Sequence, residues 1–234
     1  MLKEPLGTSS TLFNTVFDST KYLDIAIVTP NLLHYFVIAL RVIIQLTKII
    51  YFAVYPNPFY NYTPSSLISS EEILRLVDGG ETYQNNPIWP LLHRGVDVII
   101  VNDNSADTKD DWPNGSELYN TYIQSVNAGL TRMPVIPSVD NFPNGPTFFG
   151  CNDMTTVTIV YLPNHQYTYP SNRGTSKLSY ERHQTQDMIA NGVEIASKGG
   201  DPRWPLCLAC GFMKKEGGTL PTGCSACFQQ YCYN

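Results

Sequence analysis

The stretch "LRLVDGGETYQNNPIWPLL", residues 74–92, sets a short apolar run against an aspartate and two glycines, and then against a proline-bounded apolar loop. A β-rich run that ends in Asp-Gly marks a chain reversal, because Gly adopts backbone angles that other residues resist. On this pattern alone Asp78 closes a turn. Working outward, strands are expected near 73–77 and 96–101 ("VDVIIV"), and again at 147–149 and 157–162. A helix is expected over 116–126, with Ser116 as its N-cap and Leu118, Tyr122 and Val126 repeating at every fourth position. A second helix over 181–197 is closed by Gly199 and Gly200. Strands alternating with helices predict an α/β domain.

The chain has 234 residues, of which 43% are hydrophobic and only 15% charged, enough apolar material for one large domain or two small ones. A formal charge of −5 and only 15 Lys plus Arg spread along the chain exclude a basic nucleic-acid surface. The start, MLKEPLGTSSTLFN, has no charged, apolar and small-residue succession of a secretory signal, so either the protein is not exported or its leader lies upstream.

Residues 32–54, LLHYFVIALRVIIQLTKIIYFAV, are nearly long and apolar enough to cross a membrane but carry Arg41, Gln45 and Lys48. At helical periodicity these and His34 fall in one narrow stripe. The segment is read as a buried helix with one wet edge, with an interfacial membrane helix as the alternative.

Five of the six cysteines fall in the last 28 residues: Cys207, Cys210, Cys224, Cys227 and Cys232. Two CxxC pairs could hold a tetrahedral zinc, although the 13-residue spacer is short for a ribbon. An even total that includes Cys151, with sequons at Asn61 and Asn114, favours disulfides in an exported, glycosylated protein, the pairing left open and the 201–234 tail an irregular stapled appendage.

Catalytic signals beyond Asp78 are sparse. Asp103, Asp107, Asp110 and Asp111 crowd one loop, but a calcium loop starting at Asp103 would place Thr108 where a Gly is needed and Asn114 where a bidentate Glu is needed. A solvated acidic loop is the better account. His34, His93, His165 and His183 form no HExxH, and neither GxSxG nor SxxK occurs. The residues by themselves offer a carboxylate with nothing to activate.

A dense set of stretches changes that reading: "SSTLFN" (9–14), "YPNPFY" (55–60), "LVDGGE" (76–81), "NNPIWPLL" (85–92), "VDVIIVNDNSADT" (96–108), "WPNGSELYNTY" (112–122), "PTFFGC" (146–151), "YLPN" (161–164), "SKLSY" (176–180), "CLACGF" and "CSACFQQYC". Together they resemble the C-terminal part of the catalytic domain of the fungal lysophospholipase (phospholipase B) family, which is related to the cytosolic phospholipases A. Residues 1–8 lie outside these stretches and residues 21–54 diverge, so 1–234 is expected to be a partial catalytic domain.

The resemblance implies an α/β, patatin-like Ser-Asp hydrolase and hydrolysis of the fatty-acyl ester of lysophospholipids or phospholipids at a membrane or micelle surface. It gives Asp78 the role of the dyad carboxylate, and makes Gly79 and Gly80 small so that a serine turn and the lipid ester can approach. Asn85, Asn86 and Trp89 then shape the nearby loop. It implies no cofactor and no metal, and a secreted or cell-surface location for the full-length protein. The serine turn belongs to an N-terminal half not found in 1–234, so this chain alone is expected to be inactive. The alternative is a non-catalytic, cysteine-stapled module binding a cell surface or membrane.

Overall fold

In the computed structural model, the described residues are 53–63, 69–76, 79, 83–174, 177 and 179–233. The chain divides into two compact units, 1–82 and 83–234. Most of the apolar stretch 32–54 lies outside the described residues. Its last two residues are extended rather than helical, because Ala53 and Val54 belong to strand β1 (Ala53–Pro56). No helix among the described residues is long and apolar enough to cross a membrane.

In the first unit, β1 pairs antiparallel with β2 (Ile73–Leu76), setting Ala53 opposite Leu76 and Pro56 opposite Ile73. Asn57 closes the end of this ribbon. Its backbone N–H donates to the Glu72 carbonyl at 2.9 Å, its side chain donates to the Glu71 carbonyl at 2.6 Å, and its Oδ1 accepts from the Phe59 N–H.

The second unit is built on a three-stranded sheet of order β3-β5-β4, with β3 at Val98–Asp103, β4 at Thr147–Phe149 and β5 at Thr158–Pro163. Strands β3 and β5 run parallel, pairing Val98 with Thr158 through to Asp103 with Pro163. Strand β4 runs antiparallel to β5, with Phe148 opposite Val160. β5 is buried from Thr158 to Leu162, as expected of a strand covered on both faces.

Side chains alternate between those faces. On one, Ile99, Val101, Ile159, Tyr161 and Phe149 pack against Ile88, Leu92 and Leu118. Helix α1 is Trp89–Leu92 and α2 is Ser116–Asn127. On the other face, Phe148, Val160 and Leu162 pack against the C-terminal helices α4 (Trp204–Met213) and α5 (Cys224–Tyr231). A helix on each side of a mixed sheet is the α/β arrangement that the alternating pattern predicts.

Two expectations are corrected here. The cysteine-rich tail is not an irregular appendage: Trp204 is 1% exposed and Cys210 is 0% exposed, so α4 and α5 form half of a core. Its cysteines pair as Cys207–Cys227 and Cys210–Cys224, joining α4 to α5, while Cys151–Cys232 joins the turn after β4 to the end of α5. The two CxxC motifs are therefore bonded to each other across a helix pair rather than gathered around one tetrahedral centre. Phe148 also bridges to Cys232, and the Tyr233 N–H donates to its carbonyl at 2.9 Å.

The second correction concerns the start of α2. Gly115 is the N-cap, at φ 81°, and Ser116 is the first helical residue. The side chain of Asn114 accepts the Ser116 N–H at 3.0 Å, so an Asx turn one step earlier does what a Ser116 cap would have done. A Cβ at position 115 would sit 2.4 Å from the Phe142 ring, which excludes any larger residue.

Helix α3 (Arg182–Ser197) begins at a capping box in which the Glu181 N–H donates to the Gln184 side chain at 3.1 Å, and it stops at Lys198 in a left-handed conformation. Lys198, Gly199 and Gly200 all have positive φ, and such a run ends the helix.

Candidate functional site

Asp78 and Gly80 lie outside the described residues, and Gly79 is exposed in the first unit. What the second unit does describe is the loop that follows the LVDGGE stretch and the strand end to which it is tied. Residues 83–85 run along α2. The Asn85 backbone N–H donates to one oxygen of Glu117 at 3.1 Å and its side-chain amide donates to the other at 3.2 Å. Gln84 donates to Gln124 at 2.8 Å, and Asn120 donates to the Tyr83 carbonyl at 3.2 Å. Glu117, Asn120 and Gln124 recur at helical spacings of three and four, so one face of α2 holds the whole segment.

The same amide of Asn85 reaches Ser105 Oγ at 3.3 Å, which links the loop to the carboxyl end of β3. Asn86 is partly buried and its Nδ2 has no partner among the described residues. Trp89 is half-buried as the first residue of α1, directly after the core residue Ile88. The structure therefore brings Asn85 into a polar cluster and leaves Asn86 and Trp89 beside it in the chain.

At the end of β3, Asp103 is fully buried. One of its oxygens accepts the Ser105 N–H at 3.0 Å and the other accepts the Tyr161 hydroxyl at 2.6 Å. Burial raises the Tyr161 pKa, and the neighbouring Asp103 charge raises it further, so the phenol stays protonated as a permanent donor. Asp107 accepts the Asn114 N–H at 3.1 Å. Its pKa is raised by partial burial and by the charge of Asp103, against the lowering effect of that hydrogen bond. Glu117 is likewise raised, first by burial and then by Asp107 and Asp103, while the Asn85 N–H opposes the shift.

The expectation of a wholly solvated acidic loop is thus corrected. Asp110 is exposed, but Asp103 and Glu117 are buried and Asp107 is half-buried, because the loop folds back on itself through Thr108, whose Oγ accepts the Trp112 N–H at 3.1 Å. Among the described residues no group of His, Cys, Asp or Glu is arranged to hold a metal ion.

Beyond the carboxyl ends of the parallel strands β3 and β5 opens a cavity of about 510 Å³. Phe142, Pro146 and Tyr161 give it apolar walls, and Asn114, Asn164 and His165 give it polar ones. Its position and size are those of a ligand pocket in an α/β fold, which forms outside the carboxyl ends of parallel strands. The loop 165–171 that borders it is organised by one side chain. Asn191, fully buried in α3, accepts from the N–H groups of Tyr167, Thr168 and Tyr169 at 2.8, 3.0 and 3.3 Å. Its amide donates to the His165 carbonyl and to Ser171 Oγ, both at 2.8 Å.

Glu117, Tyr161 and Asn191 were not singled out from the sequence. The available signal for Asn191 was a poor helix former in mid-helix, which requires a tertiary partner. Of the sequon residues, Asn61 is exposed in a turn at φ 60°, whereas Asn114 is half-buried with its Oδ1 engaged on α2.

Comparison with known proteins gives this arrangement its context. The family model described as the lysophospholipase catalytic domain matches residues 5–234, a continuous match that includes the segment 21–54. Lysophospholipase 2 of Aspergillus fumigatus is 39% identical over 251 residues, covering 98% of this chain and 42% of that protein. A lysophospholipase of Kluyveromyces lactis is 37% identical over 98% of this chain and 40% of its own length. Phospholipase B of Cryptococcus neoformans is 36% identical over 97% of this chain and 38% of its own length. The chain thus spans about two fifths of the length of these relatives. No solved structure matches. With the family match running through LVDGGE, the Asn85 loop and the cysteine-bonded helices alike, the chain belongs to the lysophospholipase catalytic domain family.

Proposed function

We propose that this polypeptide carries the carboxylate half of a Ser-Asp dyad that hydrolyses the fatty-acyl ester of lysophospholipids or phospholipids, with Asp78 as that carboxylate. The observation that carries the reading is the family match over residues 5–234, which contains LVDGGE, together with relatives whose names are lysophospholipase and phospholipase B. In this scheme the serine is supplied by polypeptide outside residues 1–234. Its hydroxyl adds to the ester carbonyl as Asp78 takes the proton, and collapse of the adduct expels the lyso or glycerol oxygen with that proton. Water then adds to the acyl-serine by the same proton transfer and releases the fatty acid. A carboxylate serves as base without a histidine when burial and hydrogen bonding tune its basicity.

The proposed setting is a secreted or cell-surface one with substrate at a membrane or micelle surface, supported by three disulfides and the sequons at Asn61 and Asn114.

The test is ester turnover on lysophosphatidylcholine by purified residues 1–234 and by a longer polypeptide that joins them to the upstream half of a fungal relative. Residues 1–234 alone should release no fatty acid. The joined polypeptide should do so, and Asp78→Asn should lower its turnover by about 10²–10⁴, the usual contribution of a positioned acid or base. Unchanged turnover in that variant would overturn the role of Asp78. Vesicle binding by residues 1–234 that survives Asp78→Ala, with no turnover in the joined polypeptide, would instead favour a non-catalytic binding module.

A further inference from the structure

The loop between β5 and α3 carries a guanidinium whose hydrogen bonding is incomplete. Arg173 donates through Nη1 to the Asn172 carbonyl at 2.8 Å and through Nη2 to the Tyr169 hydroxyl at 3.0 Å. Its guanidinium carbon stands 5.4 Å from the centroid of the Tyr169 ring. The Nε is shielded from solvent and has no partner. Among the described residues Arg173 makes no ion pair. A shielded guanidinium N–H without an acceptor is uncommon, because such groups are normally paired or hydrogen-bonded.

Arg173 lines a cavity of about 270 Å³ together with Asn104, Asn164, Ser171, Tyr180 and Met188. Among the described residues no Asp or Glu lines it. Asp111 packs against the following residue, Gly174, but is not part of the cavity wall. The polar wall is held in place from below: Ser171 donates to Asn164 at 2.7 Å and accepts from the buried Asn191. The volume is below the roughly 300–1,000 Å³ of pockets for drug-sized ligands, which suits a compact polar group rather than an acyl chain. A planar guanidinium with a free N–H, in a cavity whose described lining is uncharged apart from Arg173, is matched by a tetrahedral oxyanion.

We propose that this cavity is a binding site for a phosphate-type anion, anchored by Arg173, whether that phosphate is the diester of a lipid headgroup or free phosphate. The inference rests on the Arg173 cavity alone and stands or falls separately from ester hydrolysis by Asp78.

The experiment titrates residues 1–234, disulfides intact, with glycerophosphocholine and separately with inorganic phosphate, following heat and backbone amide shifts. Saturable binding is expected for at least one, with shifts at Ser171, Arg173 and Gly192. Arg173→Gln should weaken it by about tenfold or more, equivalent to roughly 1.4 kcal/mol. Arg203→Gln, which removes an equal charge from a side chain 70% exposed, should leave it unchanged. Tighter binding of glycerophosphocholine identifies the lipid headgroup as the source; equal or tighter binding of phosphate identifies the free anion. The amide shifts are read on the unmodified chain and hold even where a variant fails to fold. Absence of saturable binding of both probes, shifts that miss these three residues, or equal weakening by Arg203→Gln would overturn the proposal.

Discussion

Asn85 holds both oxygens of Glu117, one through its backbone N–H at 3.1 Å and the other through its side-chain amide at 3.2 Å. A segment seven positions beyond Asp78 is thereby locked to the first turn of α2. Burial raises the proton affinity of Glu117 and of its neighbour Asp107, and the charge of Asp103 raises both further. The strength of the lock therefore depends on pH.

For Asp107 and Glu117 the folded-state pKa is above the ordinary values of 3.8 and 4.5. The folded chain binds these two protons more tightly than the unfolded chain. Their contribution to stability is complete below the ordinary values and is lost as pH rises through the elevated ones. Asp107→Asn keeps an oxygen for the Asn114 N–H and removes the charge. It should match the parent's melting temperature near pH 3.5 and exceed it at pH 7 by an amount worth less than about 1 kcal/mol, since the group is only half-buried. Thermal melts across this range check it; a variant less stable at pH 7 would contradict the sign.

Tyr161→Phe leaves the buried Asp103 carboxylate without its 2.6 Å donor. The expected loss is about 1.5–3 kcal/mol, the range for hydrogen bonds to charged groups. Asp103→Asn keeps a single oxygen for two donors, so the Tyr161 hydroxyl or the Ser105 N–H is left facing an amide NH2 and the loss should fall in the same range. Urea unfolding of the two variants gives the comparison.

Asn191→Ala removes the acceptor of three consecutive N–H groups and the donor to His165 and Ser171. With Asn191 fully buried, the loss should be on the order of 3 kcal/mol, and hydrogen exchange at Tyr167, Thr168 and Tyr169 should accelerate together. Protection that persists at all three amides would show that the loop is held by something else.

The disulfides differ in the loops they close. Cys151–Cys232 spans 81 positions and Cys210–Cys224 spans 14. By chain entropy, replacing the first pair with alanines should cost about 4.5 kcal/mol and the second about 3 kcal/mol. Reductant should lower the melting temperature, and a metal chelator should leave it unchanged.

The sequence by itself determined five local elements of the second unit to within about two residues, because each follows from short-range physics, while the helices α1, α4 and α5 left no such signal. The expected strands at 96–101, 147–149 and 157–162 and the helices at 116–126 and 181–197 correspond to β3, β4, β5, α2 and α3. Apolar runs bounded by turn residues and fourfold apolar spacing act over a few positions, and the motif stretches from LVDGGE to the CxxC pairs were enough to identify the family. What the sequence could not decide was pairing. Six cysteines admit fifteen connectivities. Only the packing of α4 against α5, and of both on Phe148, Val160 and Leu162, selects the one with three bonds at Cys151–Cys232, Cys207–Cys227 and Cys210–Cys224. Burial of Asp103 and Glu117 was equally hidden, because a run of aspartates reads as solvated until a tyrosine from a strand 58 positions away and an asparagine 32 positions away supply donors. Those partners meet because β3 and β5 lie side by side in the sheet and because residues 83–85 run along α2. Such long-range contacts leave no mark on local periodicity, and so belong to the tertiary structure alone.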